Sequence, residues 1–233
     1  MTEISPFPGR NRLLAALSSA DFALLQPDLD PVSLELRQVL ETADEPITHN
    51  YFIESGLASV VAGNGNHRRR IEVGLIGFDG MTGLAVVLGN DRSPNENFMQ
   101  VGGEGRRISS DRLRMAMQES RSLHGVLLNF AHAFMNQIAS TALSNGTASV
   151  EERLARWLLM AHDRMDDDNI PLTHEFLALM LGVRRAGVTV ALNALERKAV
   201  IRLSRGQIFV VDREGLKASA NGAYADMEMP VAC

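Results

Sequence analysis

Hydrophobic spacing changes character twice along the chain. From Asn11 to Gln26, Leu13, Leu14, Leu17, Phe22 and Leu25 are spaced for one face, which predicts a short helix. From Asp28 to about Gly105 the period drops to two, as in Leu34-Glu35-Leu36-Arg37-Gln38-Val39-Leu40. Turn residues interrupt it at Asp44-Glu45-Pro46, Gly63-Asn64-Gly65-Asn66, Gly77-Phe78-Asp79-Gly80 and Gly89-Asn90-Asp91. Many short strands at regular spacing predict an antiparallel barrel or sandwich. Helical spacing then returns. Ser110 or Asp111 can cap a short helix through Gln118.

A proline-free segment from Leu123 to Asn145 follows. Leu127, Phe130, Phe134, Ile138 and Thr141 recur at intervals of three and four, and Val126, Leu128, Ala131, Met135 and Ala142 widen the apolar face. A helix apolar on more than one side needs two partners. One is its own barrel; the other is a second copy of itself, packed as a coiled coil through Leu127, Phe130, Phe134 and Ile138. A single buried core helix is the alternative. Asn145-Gly146-Thr147-Ala148 is expected to end this helix. Ser149-Val150-Glu151-Glu152 then reads as a capping box that opens the next, running to about Arg164 with Leu154, Trp157, Leu158 and Ala161 inside. Asp166-Asp167-Asp168-Asn169 is a solvated acidic loop. These breaks divide the chain into a barrel over 1–122, a long dimerisation helix and hinge over 123–148, a C-terminal domain over 149–220 and a tail over 221–233.

The C-terminal domain carries the most specific pattern. Thr173 can cap a first helix. Ala178 is small where a second helix must cross closely, Gly182 follows where a tight turn favours positive φ, and Val188 can plug the space between the two helices. That spacing is what a helix-turn-helix requires. The second helix is expected over about 184–198, with Leu192 and Leu195 inward. Arg184, Arg185 and Thr189 then lie on its outer N-terminal part, the part that meets base edges in the major groove. Val200 to Val211 reads as two short strands around an Arg-Gly turn, a wing on which Arg202 and Arg205 can reach phosphates.

Composition adds bounds. The chain has 233 residues, 45% hydrophobic and 22% charged, with a formal net charge of -5. The charge is unevenly spread: 172–217 holds eight basic against four acidic residues, whereas 1–149 holds 12 against 16. An acidic front with a basic tail fits a sensor joined to an electrostatic reader. The one cysteine, Cys233, removes internal disulfides and cysteine-ligated zinc or iron–sulfur centres. No apolar run reaches the roughly 18 residues of a membrane span, and the N-terminus lacks a secretory pattern. A cytoplasmic protein with no membrane partner is expected. No phosphate loop, metal-ligand His pair at i,i+4 or nucleophile elbow is present, so no enzyme is expected, and no metal or cofactor.

The segments Glu152-Arg153-Leu154-Ala155-Arg156-Trp157-Leu158-Leu159, Leu172-Thr173-His174-Glu175 and Leu181-Gly182-Val183-Arg184-Arg185 resemble the DNA-binding domain of the Crp/Fnr superfamily of bacterial regulators. Gly56, Gly74, Gly77, Gly80 and Gly83 fall where the turns of that family's cyclic-nucleotide-binding-type jelly roll lie. The resemblance runs from about Asn11 to Leu216. It implies an α+β fold: an N-terminal antiparallel β jelly roll, a long dimerisation helix and a C-terminal winged helix-turn-helix. It also implies a homodimer on double-stranded DNA, with RNA polymerase an open partner and the effector unspecified. By residue matching, Arg185 takes the leading base-reading position, while Ala186 and Val190 replace a glutamate and an arginine. Thr173, Arg184, Arg185, Ala186, Thr189, Val190, Arg202 and Arg205 are therefore the candidate DNA-binding residues.

The chain departs from the family at the ligand pocket. Met81 stands where cyclic-AMP-binding members carry the ribose-binding Glu, and Ser93-Pro94 falls at the phosphate-binding Arg-Ser position, unless a one-residue shift restores it as Arg92-Ser93. A barrel that does not bind cyclic AMP is expected. His49, His124 and His132 are nominal haem ligands only, and His67-Arg68-Arg69-Arg70 reads as a solvated hairpin tip. The rival to DNA binding is a ligand-binding or scaffold protein whose winged helix docks a protein.

Overall fold

The computed structural model describes residues 7–63 and 70–224. His67, Arg68, Arg69, the Asn64-Gly65-Asn66 turn, Cys233 and the tail beyond Tyr224 lie outside the described residues. The chain forms two compact units. One takes in 7–60 and 76–136, the other 61–63, 70–75 and 137–224.

The first unit opens with two helices rather than the single one expected over 11–26: α1 (Arg12–Ala15) and α2 (Ser19–Leu25). Ser18 takes extended backbone and its hydroxyl accepts from Asp21 N, which starts a new helix. The apolar set still holds, with Leu13, Leu14, Leu17, Phe22 and Leu25 all buried. Fully buried Asn11 caps α1 through Leu14 N and donates to the carbonyls of Ile53 and Gly80.

The strands are β1 (Asp30–Leu34), β2 (Val39–Glu41), β3 (His49–Ile53), β4 (Leu57–Gly63), β5 (Arg70–Ile76), β6 (Glu96–Val101) and β7 (Gly103–Ser109). They make two sheets, ordered β1-β7-β3 and β2-β6-β4-β5. The β1–β7, β3–β7 and β2–β6 pairs are antiparallel. The alternating run 34–40 is not one strand. It turns at Arg37, whose φ is 68, and crosses from the first sheet to the second, leaving Leu36 and Val39 exposed. A four-residue helix α3 (Leu84–Val87) follows the Gly80–Gly83 segment.

Helix α4 (Ser110–Glu119) is capped by Ser109, one residue before the expected cap. Helix α5 (Arg121–Thr147) has 27 residues. It starts before Leu123 and continues through Asn145 and Gly146, because a glycine within a helix weakens it without terminating it. Leu123, Leu127, Phe130, Ala131 and Phe134 are buried. A Cβ at Gly80 would lie 2.2 Å from Phe130 Cζ, so the absence of a side chain at 80 is what lets this ring seat on the barrel.

Besides β5 up to Leu75, the second unit holds α6 (Val150–His162), β8 (Asn169–Ile170), α7 (His174–Leu181), α8 (Arg185–Arg197), β9 (Ile201–Ser204), β10 (Gln207–Val210) and α9 (Arg213–Ser219). The capping box at Ser149 and Glu152 is present with both reciprocal bonds. Leu154, Trp157, Leu158 and Ala161 are buried, and α6 packs against α7, α8 and α9. The three short strands pair in the order β8-β10-β9.

Candidate nucleic-acid interface

Thr173 caps α7 by accepting from Phe176 N. The helix ends at Gly182, which adopts φ 62, ψ 33, a left-handed conformation that L side chains enter only with strain. There the amides of Gly182 and Val183 satisfy the carbonyls of Leu179 and Ala178. The Arg153 guanidinium also donates to the Leu181 carbonyl. The turn thus directs the chain into α8, whose N-cap is Arg184. Val188, Leu192 and Leu195 are fully buried, so the opposite face of α8 is fixed outward.

That outer face contains Arg185, Ala186, Val190 and Asn193, all exposed. Thr189 is half-buried. Its hydroxyl donates to the Arg185 carbonyl at 3.2 Å and lies 3.2 Å from His174 Nδ1, which then donates to it. Its polar atom is therefore engaged within the unit. On the wing, β9 and β10 pair from Ser204–Gln207 to Ile201–Val210. Arg205 stands exposed in the Arg205-Gly206 turn. Arg202 lies over the Phe209 ring, 4.9 Å from its centroid, which stiffens the wing and holds its charge close to the strand.

The helix pair and the wing enclose a cleft of about 300 Å³ lined by Thr173, His174, Arg185, Ser204, Arg205 and Gln207, among others. Two arginines thus converge on one opening. Among the described residues no carboxylate pairs with Arg184, Arg185 or Arg205, so their charge is available to an anion. The structure gathers Thr173, Arg185 and Arg205 around the cleft and sets Ala186 and Val190 beside it on α8. Arg184 is exposed at the head of that helix, and Arg202 is turned onto Phe209. Reasoning from sequence missed His174, Gln207 and Asn193. For His174 the only signal was its place immediately after the cap Thr173.

The barrel presents a different chemistry. Met81 is fully buried and bridges to Phe52. The Arg92 guanidinium donates to the Asp44 carbonyl at 2.7 Å, and Ser93 Oγ accepts from Asn95 N. Glu41 is buried. Its Oε1 accepts from Gly83 N at 2.6 Å and from Asn97 Nδ2 at 3.2 Å. Burial pushes the Glu41 carboxyl above the usual carboxylate range, against bonds from Gly83, Asn97 and Thr82 that pull it down. His124 Nε2 is bonded to the Val87 carbonyl, and His132 is exposed. Among the described residues no cluster of three or more His, Cys, Asp or Glu is arranged to hold a metal.

Residues 152–219 match the Crp-like helix-turn-helix domain family. The C-terminal unit contains a Crp-like helix-turn-helix domain. No curated protein matches the chain. Among solved structures, FixK2 of Bradyrhizobium japonicum is similar at 17% identity and a TM-score of 0.72, over 86% of this chain and 99% of its own. A CRP-family transcriptional regulator of Thermus thermophilus matches at 16% identity and 0.71, over 84% and 100%. The c-di-GMP-responsive global regulator CLP of Xanthomonas campestris matches at 16% and 0.63, over 83% and 99%. At these identities the likeness is one of fold. The chain shares the fold of these structures, with antiparallel sheets, a long helix and the Crp-like helix-turn-helix domain.

Proposed function

We propose that this chain is a dimeric, sequence-specific DNA-binding transcription regulator that inserts α8 into the major groove and sets its wing on the adjacent backbone. The observation that carries this reading is the convergence of Arg185 and Arg205, with no carboxylate partner among the described residues, on one cleft beside an outward recognition face. Arginine forks suit both phosphate oxygens and guanine edges. Filter binding to random duplex DNA across a salt series tests it. Affinity that falls steeply with salt is expected. Salt-insensitive or absent binding would favour a winged helix that docks a protein.

The second copy is assigned to α5, but to a different stripe from the one expected. Leu127, Phe130 and Phe134 are buried in their own chain. Leu128, His132, Met135, Ala139 and Ala142 are exposed and alternate at intervals of four and three, a coiled-coil seam. Ile138 is half-buried beside it.

The barrel is read as one that does not take cyclic AMP. Met81 offers no ribose acceptor, Arg92 is bonded at Asp44, and the Gly83 amide is already occupied by the carboxylate of Glu41. Calorimetry with cyclic AMP should show no saturable micromolar binding that also raises affinity for DNA.

A further inference from the structure

Val190 is the feature of α8 that a folded domain does not need. Its side chain is 68% exposed in the middle of a helix. A β-branched residue there is a poor helix former, and an exposed one contributes nothing to the core. Ala186, one turn earlier on the same line, is also exposed. Arg185 and Arg184 flank this apolar line at the head of the helix, and the one hydroxyl nearby, on Thr189, is already engaged. The outer face therefore offers a base pair the forks of Arg184 and Arg185, the Asn193 amide and a two-residue apolar strip.

We propose that Val190 and Ala186 are specificity-determining residues that read the 5-methyl groups of thymines in the major groove, next to the guanine met by Arg185. This rests on the DNA-binding reading above. The thymine methyl is the apolar group displayed on the major-groove edge of a standard base pair, and it accepts apolar side chains. Positions i and i+4 of a helix place Cβ atoms about 5–6 Å apart. Successive bases on one strand are about 3.4 Å apart, so the strip spans about two base steps. The half-site should then carry one or two thymines within that distance, and the flanking arginines select DNA over an apolar protein partner as the occupant of this face.

The test replaces thymine by uracil, which removes only the methyl and keeps the pairing. The preferred site is first selected from random duplexes, and each half-site thymine is then changed singly. One or two replacements should weaken wild-type binding about four-fold, the equivalent of about 0.8 kcal/mol for one buried carbon group at 1.4 kcal/mol per decade. In Val190→Ala, which should keep the fold because Val190 is largely exposed, the penalty at one of those thymines should vanish. Circular dichroism melts confirm the fold of the variant. If every replacement is neutral, or if the penalties persist unchanged in Val190→Ala, the methyl readout is overturned while DNA binding stands. If wild-type protein shows no salt-dependent duplex binding at all, both the readout and the function it rests on fall.

Discussion

Trp157 Nε1 donates to Glu72 Oε1 at 2.5 Å, joining helix α6 to strand β5 inside the second unit across 85 residues of sequence. Both groups are buried, and so is the neighbouring Arg156. Burial pushes the Arg156 guanidinium down; the Glu72 carboxylate opposes that shift and Arg164 adds to it. Glu72 thus satisfies an indole N–H and supplies the counter-charge to a desolvated cation. Removing one member of such a set leaves the others buried without compensation. Glu72→Ala should destabilise the second unit by about 3–5 kcal/mol. Trp157→Phe, which deletes one donor and keeps most of the packing, should cost about 1–3 kcal/mol. Denaturant unfolding followed by circular dichroism measures both. A Glu72→Ala variant within about 0.5 kcal/mol of wild type, the range of an ordinary surface substitution, would show that the cluster has no structural role.

The long helix gives a prediction in which two substitutions to the same residue have different consequences. Met135 is 57% exposed on the proposed seam, whereas Phe130 is 6% exposed and seats on Gly80. Met135→Asp should yield folded monomers by analytical ultracentrifugation, with little change in the melting of the isolated chain. Phe130→Asp should instead unfold the first unit, because an unpaired charge is forced into its core. His132→Leu should tighten self-association, since a polar residue at a seam position weakens a coiled coil. Dissociation of a still-folded protein by Phe130→Asp, with Met135→Asp inert, would put the interface on the other face.

Local signals are legible in the sequence, and distant pairings are not. Ser149 with Glu152, Thr173 with Gly182, and the Arg205-Gly206 turn each specify their structure within a few residues, and each is found where the pattern put it. The apolar stripe of α5 was legible as a stripe. Which side faced the barrel was not, because Leu127 and Leu128 are chemically alike and only the glycine at position 80, far off in sequence, admits Phe130. The break at Ser18 and the crossing at Arg37 were missed for a related reason. Apolar residues flank both, and periodicity alone cannot reveal a cap or a change of sheet. Nothing near Glu41 or Glu72 in the sequence marks either carboxylate as buried. Their partners Gly83 and Trp157 lie 42 and 85 residues away.

Glu41 makes the barrel's stability depend on pH in a defined direction. In the folded barrel its pKa is raised above the ordinary value of 4.5, chiefly by burial. The folded state therefore holds the proton more tightly than the unfolded chain does. Stability from this group is fully present below about pH 4.5 and is lost as the pH rises through the folded value. Glu41→Gln keeps an oxygen for Gly83 N and cannot ionise. Its melting temperature should exceed that of the wild type at pH 7, and the gap should close as the pH falls toward 4.5. Thermal melts at intervals of half a pH unit would show this. A variant less stable than wild type at every pH would mean that the ionised carboxylate, and not only its oxygen, holds the Gly83 segment.

Arg185 and Arg205 line the same cleft but should act on different parts of the DNA. Arg185 is the first residue of α8, on the helix whose opposite face is locked by Val188, Leu192 and Leu195, so its position is fixed by the core of the domain. A fork so placed can meet the O6 and N7 acceptors of one guanine together. Arg185→Ala should therefore weaken the preferred site by about 1–3 kcal/mol and flatten preference at one base pair per half-site. Arg205 stands at the tip of a two-stranded wing, where a phosphate is the natural contact. Arg205→Ala should weaken all sequences about equally and lower the slope of log affinity against log salt by about 1. Selection from random duplexes, run on both variants beside the wild type at two salt concentrations, separates the roles. Full wild-type preference in Arg185→Ala, together with altered preference in Arg205→Ala, would mean that the wing and not α8 enters the groove.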